Sequence, residues 1–491
     1  MKEKHLDTYF FDSSLALEIA LQKNLVDSLN PRIQGLQICY YNGNSLEKAP
    51  KNCIHVPLKN IGIYFSETNN RYPKFVSFAN TSFSIEDKIS INQKIAETLN
   101  FAIDRNFNLV SQYKHKIKRN KPDFSDKQLR IFIPACRETV VMQYIAKNIA
   151  KSFKNMGCKV YYCIQESSME ACGALNSLKK LYKFNPHITV NINHLNNEYL
   201  HNDVLNFVWF QDLMPSLTDN KELKLRKNDY LFTLVDGLMH TLKQKGIKKK
   251  KYDMQNFCID TKTFKLRKQI KRKNKIVFIG SSYKAAFDNI PLQKEKKNKI
   301  MYELLEIYMQ EGPPSRKIKK EFNERYKVNN PTDIGSIINY IERDIMVMEL
   351  IKLNLTLDFE LYGYGWEEYK ELKPYYKGVL TYGKNISKTY NSAKYALVTG
   401  GYIIQQRTLE AAASGAIPLV LDVRHNDPSY NKKFDKSMIF FKLPSELTSL
   451  TQKDKEYSFH SLVKSHSYHR FTKKIINIVE EKAYKNKAVS S

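Results

Sequence analysis

Arg407 and Glu410 stand three residues apart at the head of the run RTLEAAASGAIPLV, residues 407 to 420. On a helix that spacing puts both side chains on one face. A carboxylate can accept the two hydroxyls of a ribose, and a guanidinium offers a planar fork to phosphate oxygens. With Thr408 between them, the pair has the chemistry to hold a nucleoside diphosphate. The same spacing also suits a plain surface ion pair, which contributes little on its own.

Small residues recur where strands should end: Gly280-Ser281-Ser282, Gly363-Tyr364-Gly365, Tyr382-Gly383, Gly400-Gly401 and Ser414-Gly415. Glycine lets backbone N–H groups come close to an anion, and a following helix can aim its positive end at the same place. Any one of these taken singly is ordinarily a tight turn. Their recurrence is what points to a diphosphate, with Gly280, Ser281, Ser282, Gly363, Gly365, Tyr382, Arg407, Thr408 and Glu410 as the donor-binding candidates. No GxGxxG or Walker pattern occurs, so the dinucleotide and ATP signatures are missing. No cluster of carboxylates of the DxD type stands out, so no metal site and no bound cofactor are expected. Basic groups and helix ends would then meet the charge of a leaving group.

The elements that must position these residues alternate between strands and helices. LRIFIPA (129 to 135), CKVYYCI (158 to 164), HITVNI (187 to 192), NFVWFQD (206 to 212) and YLFTLV (230 to 235) read as strands, with helices over 139 to 157 and about 170 to 182. After a basic stretch, KIVFIGSSY (275 to 283), LDFELYGYGW (357 to 366), YALVTG (395 to 400) and Ile417 to Leu421 are further strands, with a short GVLTYG unit at 378 to 383. Helices are expected at 296 to 311, 333 to 354 and 386 to 393. The alternation predicts an α/β protein with two parallel, Rossmann-like sheets facing a cleft, and ligands at the carboxyl ends of the strands. The expected division is 1–125 as an accessory region, 126–259 and 276–470 as the two sheet domains, 260–275 as a basic connector, and 471–491 as a terminal helix and tail. Within the accessory region LQICYY and IGIYF look β-like, and a helix is expected around INQKIAETLNFAIDRNF.

Composition bounds the rest. At 491 residues the chain has room for two or three cores, and its 42% hydrophobic content with 17 Gly and 16 Pro excludes fibrous and low-complexity classes. Lys and Arg outnumber Asp and Glu by 79 to 50, a formal charge of +29. Such a charge favours phosphate, nucleic acid or an anionic membrane face, yet a Lys-, Asn- and Ile-rich chain from an AT-rich genome carries a solvated Lys surface without any such partner. Seven cysteines with no CxxC pair give no zinc pattern. The first residues lack an apolar signal core, and no run approaches the ~18 apolar residues of a membrane span. A cytoplasmic location is expected, with peripheral contact at an anionic membrane left open.

The segments YNSAKYALVTGGYIIQQRTLEAAASGAIPLVLD (390 to 422), ELYGYGW and KIVFIGSSY together resemble the C-terminal half of GT-B glycosyltransferases of the CgeB-like type. NINHL and NFVWFQDLMP resemble the acceptor-side domain. The resemblance covers about residues 129 to 445 and implies a GT-B fold, with the Arg-Thr-Leu-Glu helix closing on a nucleotide-sugar co-substrate. Many retaining relatives carry a further Glu eight positions before the ribose-binding one; here that position is Tyr402, so neither retention nor inversion is implied.

On the acceptor side Asp212, with Trp209 and Gln211, and His194 are the candidates to deprotonate a hydroxyl, and Arg137 and Glu138 after LRIFIPA stand on another loop facing the cleft. Asp212 could equally cap the turn before Pro215, and His194 could simply line its loop. The expected reaction is sugar transfer to a bacterial surface glycan or a protein. Two alternatives are a GT-B enzyme that modifies DNA, suggested by KQKGIKKKK (243 to 251) and KLRKQIKRKNK (265 to 275), and a non-catalytic basic binding protein. No helix-turn-helix, zinc or RNP-type pattern accompanies those basic runs, which ranks nucleic acid below a glycan or protein acceptor.

Overall fold

The computed structural model describes residues 7–22, 37–50, 53–67, 70–73, 75–78, 84–126, 128–137, 140–166, 170, 175–219, 222–328, 330, 332–353, 355–427, 430–452 and 457–489. The chain divides into two compact units, Met1–Phe232 with Thr241–Asp253 and Thr233–His240 with Met254–Ser491.

The first unit holds two sheets. Strands β1 (Asp7–Phe11), β2 (Gln37–Tyr41), β3 (Cys53–His55) and β4 (Phe75–Ser77) form a parallel sheet in the order β3-β2-β1-β4. Helix Ile85–Arg119 starts at a capping box made by Ser84 and Asp87 and packs Ile95, Leu99 and Ala102 against Phe10 and Tyr40. IGIYF, expected to be β-like, is instead part of helix Ile61–Glu67. The reason is that Ile61 and Phe65 stand four apart and are buried together in that same core.

The second sheet of this unit runs β10-β9-β8-β7-β5-β6, from β5 (Arg130–Ala135), β6 (Lys159–Ile164), β7 (Ile188–Ile192), β8 (Leu205–Phe210), β9 (Asp229–Thr233) and β10 (Tyr252–Met254). Every residue of β8 is buried, as a central parallel strand covered on both faces requires. The chain passes from β5 to β6 on one side and then to β7 on the other, so the strand order reverses between β5 and β7.

The other unit is built on β11 (Lys273–Ile279), β12 (Asp358–Tyr362), β13 (Ala393–Val398), β14 (Ile417–Leu421) and β15 (Ile439–Phe441), all parallel, in the order β12-β11-β13-β14-β15. Its order reverses between β11 and β13. The crevice that such a reversal leaves at the carboxyl ends of neighbouring strands is the usual seat of a ligand in an open α/β sheet. The α/β class with Rossmann-like parallel sheets is as expected from the alternation of elements. GVLTYG is not a strand; it leads into helix Lys384–Asn391. The stretch expected as a free connector packs on this second unit. Phe264 is buried, and Asn391 holds Arg267 N and Lys265 O with its side-chain amide. No helix among the described residues is long and apolar enough to cross a membrane.

Candidate functional site

Helix Gln406–Ala413 follows β13 and begins beside the crevice. Gly400 has φ +124°, a backbone open to glycine and strained for other residues, and it lets the chain turn sharply out of the strand. The turn is then locked by a reciprocal cap between Gln405 and Thr408. Thr408 is fully buried; its hydroxyl donates to Ile403 O (2.9 Å) and accepts from Gln405 N (3.3 Å). Thr408, expected among the donor contacts, is therefore a turn residue.

Glu410 is 0% exposed, and its carboxylate accepts from Arg407 Nη1 at 2.5 Å and from Gln406 Nε2 at 3.1 Å. The Arg407 side chain is about one-third exposed, so the pair has one end in the core and the other at the surface. Tyr382 and Tyr390 stand close to it. Burial, and after it the Glu410 charge, raises the Tyr382 pKa, while burial raises that of Tyr390. Both phenols stay protonated at neutral pH.

Across the crevice, the loop after β11 carries Gly280, Ser281 and Ser282. Gly280 O accepts from Trp366 Nε1 (2.6 Å), and Ser282 Oγ donates to Asp344 Oδ2 (2.5 Å). Ser281 is exposed, with Oγ accepting from Tyr364 N at 3.4 Å. Gly363, at φ +138°, would set a Cβ 2.2 Å from Gly280 O, so its lack of a side chain serves the contact between two loops and not the approach of a ligand. The Gly365 amide is used by Glu367 Oε2 at 2.8 Å. Ser414-Gly415 precedes β14, at the amino end of the sheet, and so lies away from the strand-end crevice.

One residue that the sequence reading missed belongs here. Arg343 sits in the π-helical turn Ile341–Ile345, donates from Nη1 to Ser281 O (3.1 Å) and lies over the Tyr283 ring at 3.9 Å. Its signal was three successive charged residues, Glu342, Arg343 and Asp344, inside an apolar helical run. Four polar atoms around these strand ends are buried without a partner: Thr399 Oγ1, Tyr390 OH, Gln406 Oε1 and Arg343 Nε. Buried polar groups are nearly always satisfied, so such a concentration fits a place that a polar ligand completes.

In the first unit the candidates separate. Asn193, at φ +62°, accepts Gln211 N (2.7 Å) and Asp212 N (3.2 Å) on Oδ1 and donates to Asp212 Oδ2 (2.8 Å). This clamp holds the exposed Asp212 carboxylate at the end of β8, next to Gln211, whose Nε2 is buried without a partner. His194 is exposed on the neighbouring loop. Trp209, expected as an acceptor contact, is 1% exposed in the strand core. Arg137 is also corrected: its Nε donates to Gln165 O (2.6 Å) and ties the end of β5 to that of β6. Glu138 lies outside the described residues. No group of His, Cys, Asp and Glu able to hold a metal ion occurs among the described residues.

Residues 343–465 match the glycosyl transferase-like family model. Among solved structures, the Anabaena HepE protein in complex with UDP-glucose aligns over 72% of this chain and 100% of its own, with 8% identity and a TM-score of 0.41. Sucrose-phosphate synthase from Thermosynechococcus elongatus covers 74% and 100%, with 8% identity and a TM-score of 0.43. The lipopolysaccharide outer core galactosyltransferase WaaB covers 72% and 100%, with 12% identity and a TM-score of 0.38. At such overlap and identity none of the three bears on which residues do chemistry. No curated protein matches the chain. The segment similar to that family runs from Arg343 through the Arg407–Glu410 helix to the helix after β15.

Proposed function

We propose that this chain is a glycosyltransferase that binds a nucleoside-diphosphate sugar at the β11/β13 crevice and passes the sugar to a hydroxyl of a bacterial surface glycan or protein. The observation that carries the reading is the Arg407–Glu410 pair. It sits at a strand-order reversal, with its guanidinium toward the surface, inside the segment that matches a glycosyltransferase family. Arg407 is the group that meets phosphate oxygens. Glu410, buried and holding both Arg407 and Gln406, fixes the direction of that guanidinium. Developing charge on the diphosphate is met by fixed donors that need no rearrangement as the bond breaks. Asp212 is the base assigned to the acceptor hydroxyl, oriented by Asn193.

The test is a panel of UDP-, GDP-, ADP- and dTDP-sugars, scored by thermal stabilisation and by release of the nucleoside diphosphate. A ligand at one hundred times its Kd stabilises by about 2.7 kcal/mol. Stabilisation by one nucleotide class, lost in Arg407→Gln, supports the reading. A panel with no stabilising member and no release refutes it.

A further inference from the structure

The π-helical turn Ile341–Ile345 places Glu342, Arg343 and Asp344 in three different environments. Asp344 is fully buried, and its carboxylate is committed: Oδ2 accepts from Ser282 Oγ at 2.5 Å and Tyr369 OH at 2.7 Å, and Oδ1 from Tyr283 N at 2.9 Å. It pins the loop after β11 to the turn. It does not pair with Arg343.

Arg343 is held instead by stacking and by a carbonyl. Its guanidinium lies 3.9 Å from the Tyr283 ring centre and 6.0 Å from that of Phe278, Nη1 donates to Ser281 O, and Nε is buried with no partner. A Cβ on Gly280 would come within 3.9 Å of its Cζ, which puts the charge against the strand-end loop. Arg343 reaches the loop after β11 and Arg407 stands in the first turn of the helix after β13, so the two guanidiniums belong to the carboxyl ends of neighbouring strands. Arg407 has Glu410 as its partner, and among the described residues Arg343 has no carboxylate in ion-pair contact. Arg343 thus lacks a direct carboxylate partner, because the neighbouring Asp344 carboxylate is committed to Ser282, Tyr283 and Tyr369. A guanidinium that keeps an unsatisfied Nε beside a strand-end loop is a ready partner for an anion.

We propose that Arg343 is the second cation of the donor site: the π-helical turn presents it to the diphosphate opposite Arg407, and the site requires an anion with two phosphoryl groups. This rests on the reading of the crevice as the seat of a nucleoside-diphosphate donor. A π-turn shifts the side chains that follow it relative to a regular helix, and such turns recur at functional sites. Here the shift lets Asp344 reach Ser282 and Tyr283 while the neighbouring Arg343 reaches Ser281, a division of labour between adjacent residues.

The experiment is calorimetric titration of the full chain with UDP and with inorganic pyrophosphate. It compares the wild-type protein, Arg343→Gln, Arg343→Lys, and Arg325→Gln as a control, since Arg325 is an exposed residue paired with Glu303. Expected is wild-type binding of both probes, a loss of roughly ten-fold or more in Arg343→Gln, and no change in the control. Arg343→Lys keeps the charge but not the planar fork, and a loss of roughly three-fold or more is expected there. It also provides the test if the Gln variant does not fold. Wild-type affinity in the Arg343 variants overturns the proposal and leaves the donor reading standing. If the wild-type protein binds neither probe, nor GDP, ADP or dTDP in the same titration, the donor reading falls and this proposal with it.

Discussion

Glu342 shares its turn with Arg343 but is 3% exposed, with Lys319 of helix Arg316–Arg325 and Tyr308 of helix Lys294–Glu311 as titratable neighbours. Burial pushes its carboxyl up to about 7 from an ordinary 4.5, against the opposing pull of Lys319 and Arg343. Between those two values the folded chain keeps a proton that the unfolded chain has released. Stability therefore falls as pH rises through this window and is level on either side of it. At about 1.4 kcal/mol for each pH unit, the loss comes to about 3 kcal/mol. Glu342→Gln imitates the protonated side chain, including its relation to Lys319. It should match the wild type at pH 4.5 and exceed its stability by about 3 kcal/mol at pH 8. Urea unfolding at intervals across that range measures this. The chain has two tryptophans, so a Trp209→Phe background leaves the buried Trp366 to report on the second unit alone. Parallel pH profiles for the two proteins, or a Glu342→Gln variant less stable at pH 8, would refute the reasoning.

Glu410→Ala should weaken nucleotide binding by about 1.5 to 3 kcal/mol, because it frees Arg407 from its fixed direction; unchanged affinity in calorimetry with an intact fold would sink that role. Turnover is expected to persist in excess EDTA, and activity that chelation abolishes and Mg²⁺ or Mn²⁺ restores would reveal a metal requirement. Asp212→Asn should abolish transfer to a glycan or protein hydroxyl while leaving donor affinity in place, since the amide keeps the shape but loses the base; transfer at the wild-type rate would reassign the base. Binding to duplex DNA should be weak and disappear with modest salt, whereas sugar transfer onto duplex at about 150 mM salt would favour the DNA-modifying alternative.

The sheets of residues 129–235 and 275–421 were legible because a parallel strand covered on both faces is written as a short, nearly unbroken apolar run. NFVWF and IPLVL are of that kind, and β14 falls at Ile417–Leu421 as expected. Short edge strands such as β3, β4 and β15, three residues each, leave too little pattern to read. IGIYF misled because its apolar residues suit either period, and only the partner helix Ile85–Arg119 decides between them. Within the site, the Arg407–Glu410 pairing followed from helical spacing. Roles that depend on which side of a backbone a hydroxyl faces did not follow. Thr408 turned inward to its own loop, and Gly363 made room for Gly280 O. Arg343 stayed hidden because its partner, Ser281 O, is a backbone atom 62 positions away, which no local spacing reveals.

The excess of 29 positive charges also needs placing. The two basic runs that motivated a nucleic-acid reading are partly consumed in packing. Lys249 lies over the Tyr252 ring at 5.0 Å, and Lys251 Nζ donates to Arg226 O at 3.3 Å. In the second run Arg272 donates to Ser414 O at 3.4 Å, and Lys275 pairs with Glu360 at 2.7 Å. A cation bound to a carbonyl or a carboxylate keeps its charge but commits some of its donors. Arg343 and Arg407 differ from these in one respect. Each is tied at one end only, at a strand-order reversal, among polar atoms that the protein leaves unsatisfied. Net charge governs how readily anions are met; two guanidiniums fixed beside one crevice govern which anion is held.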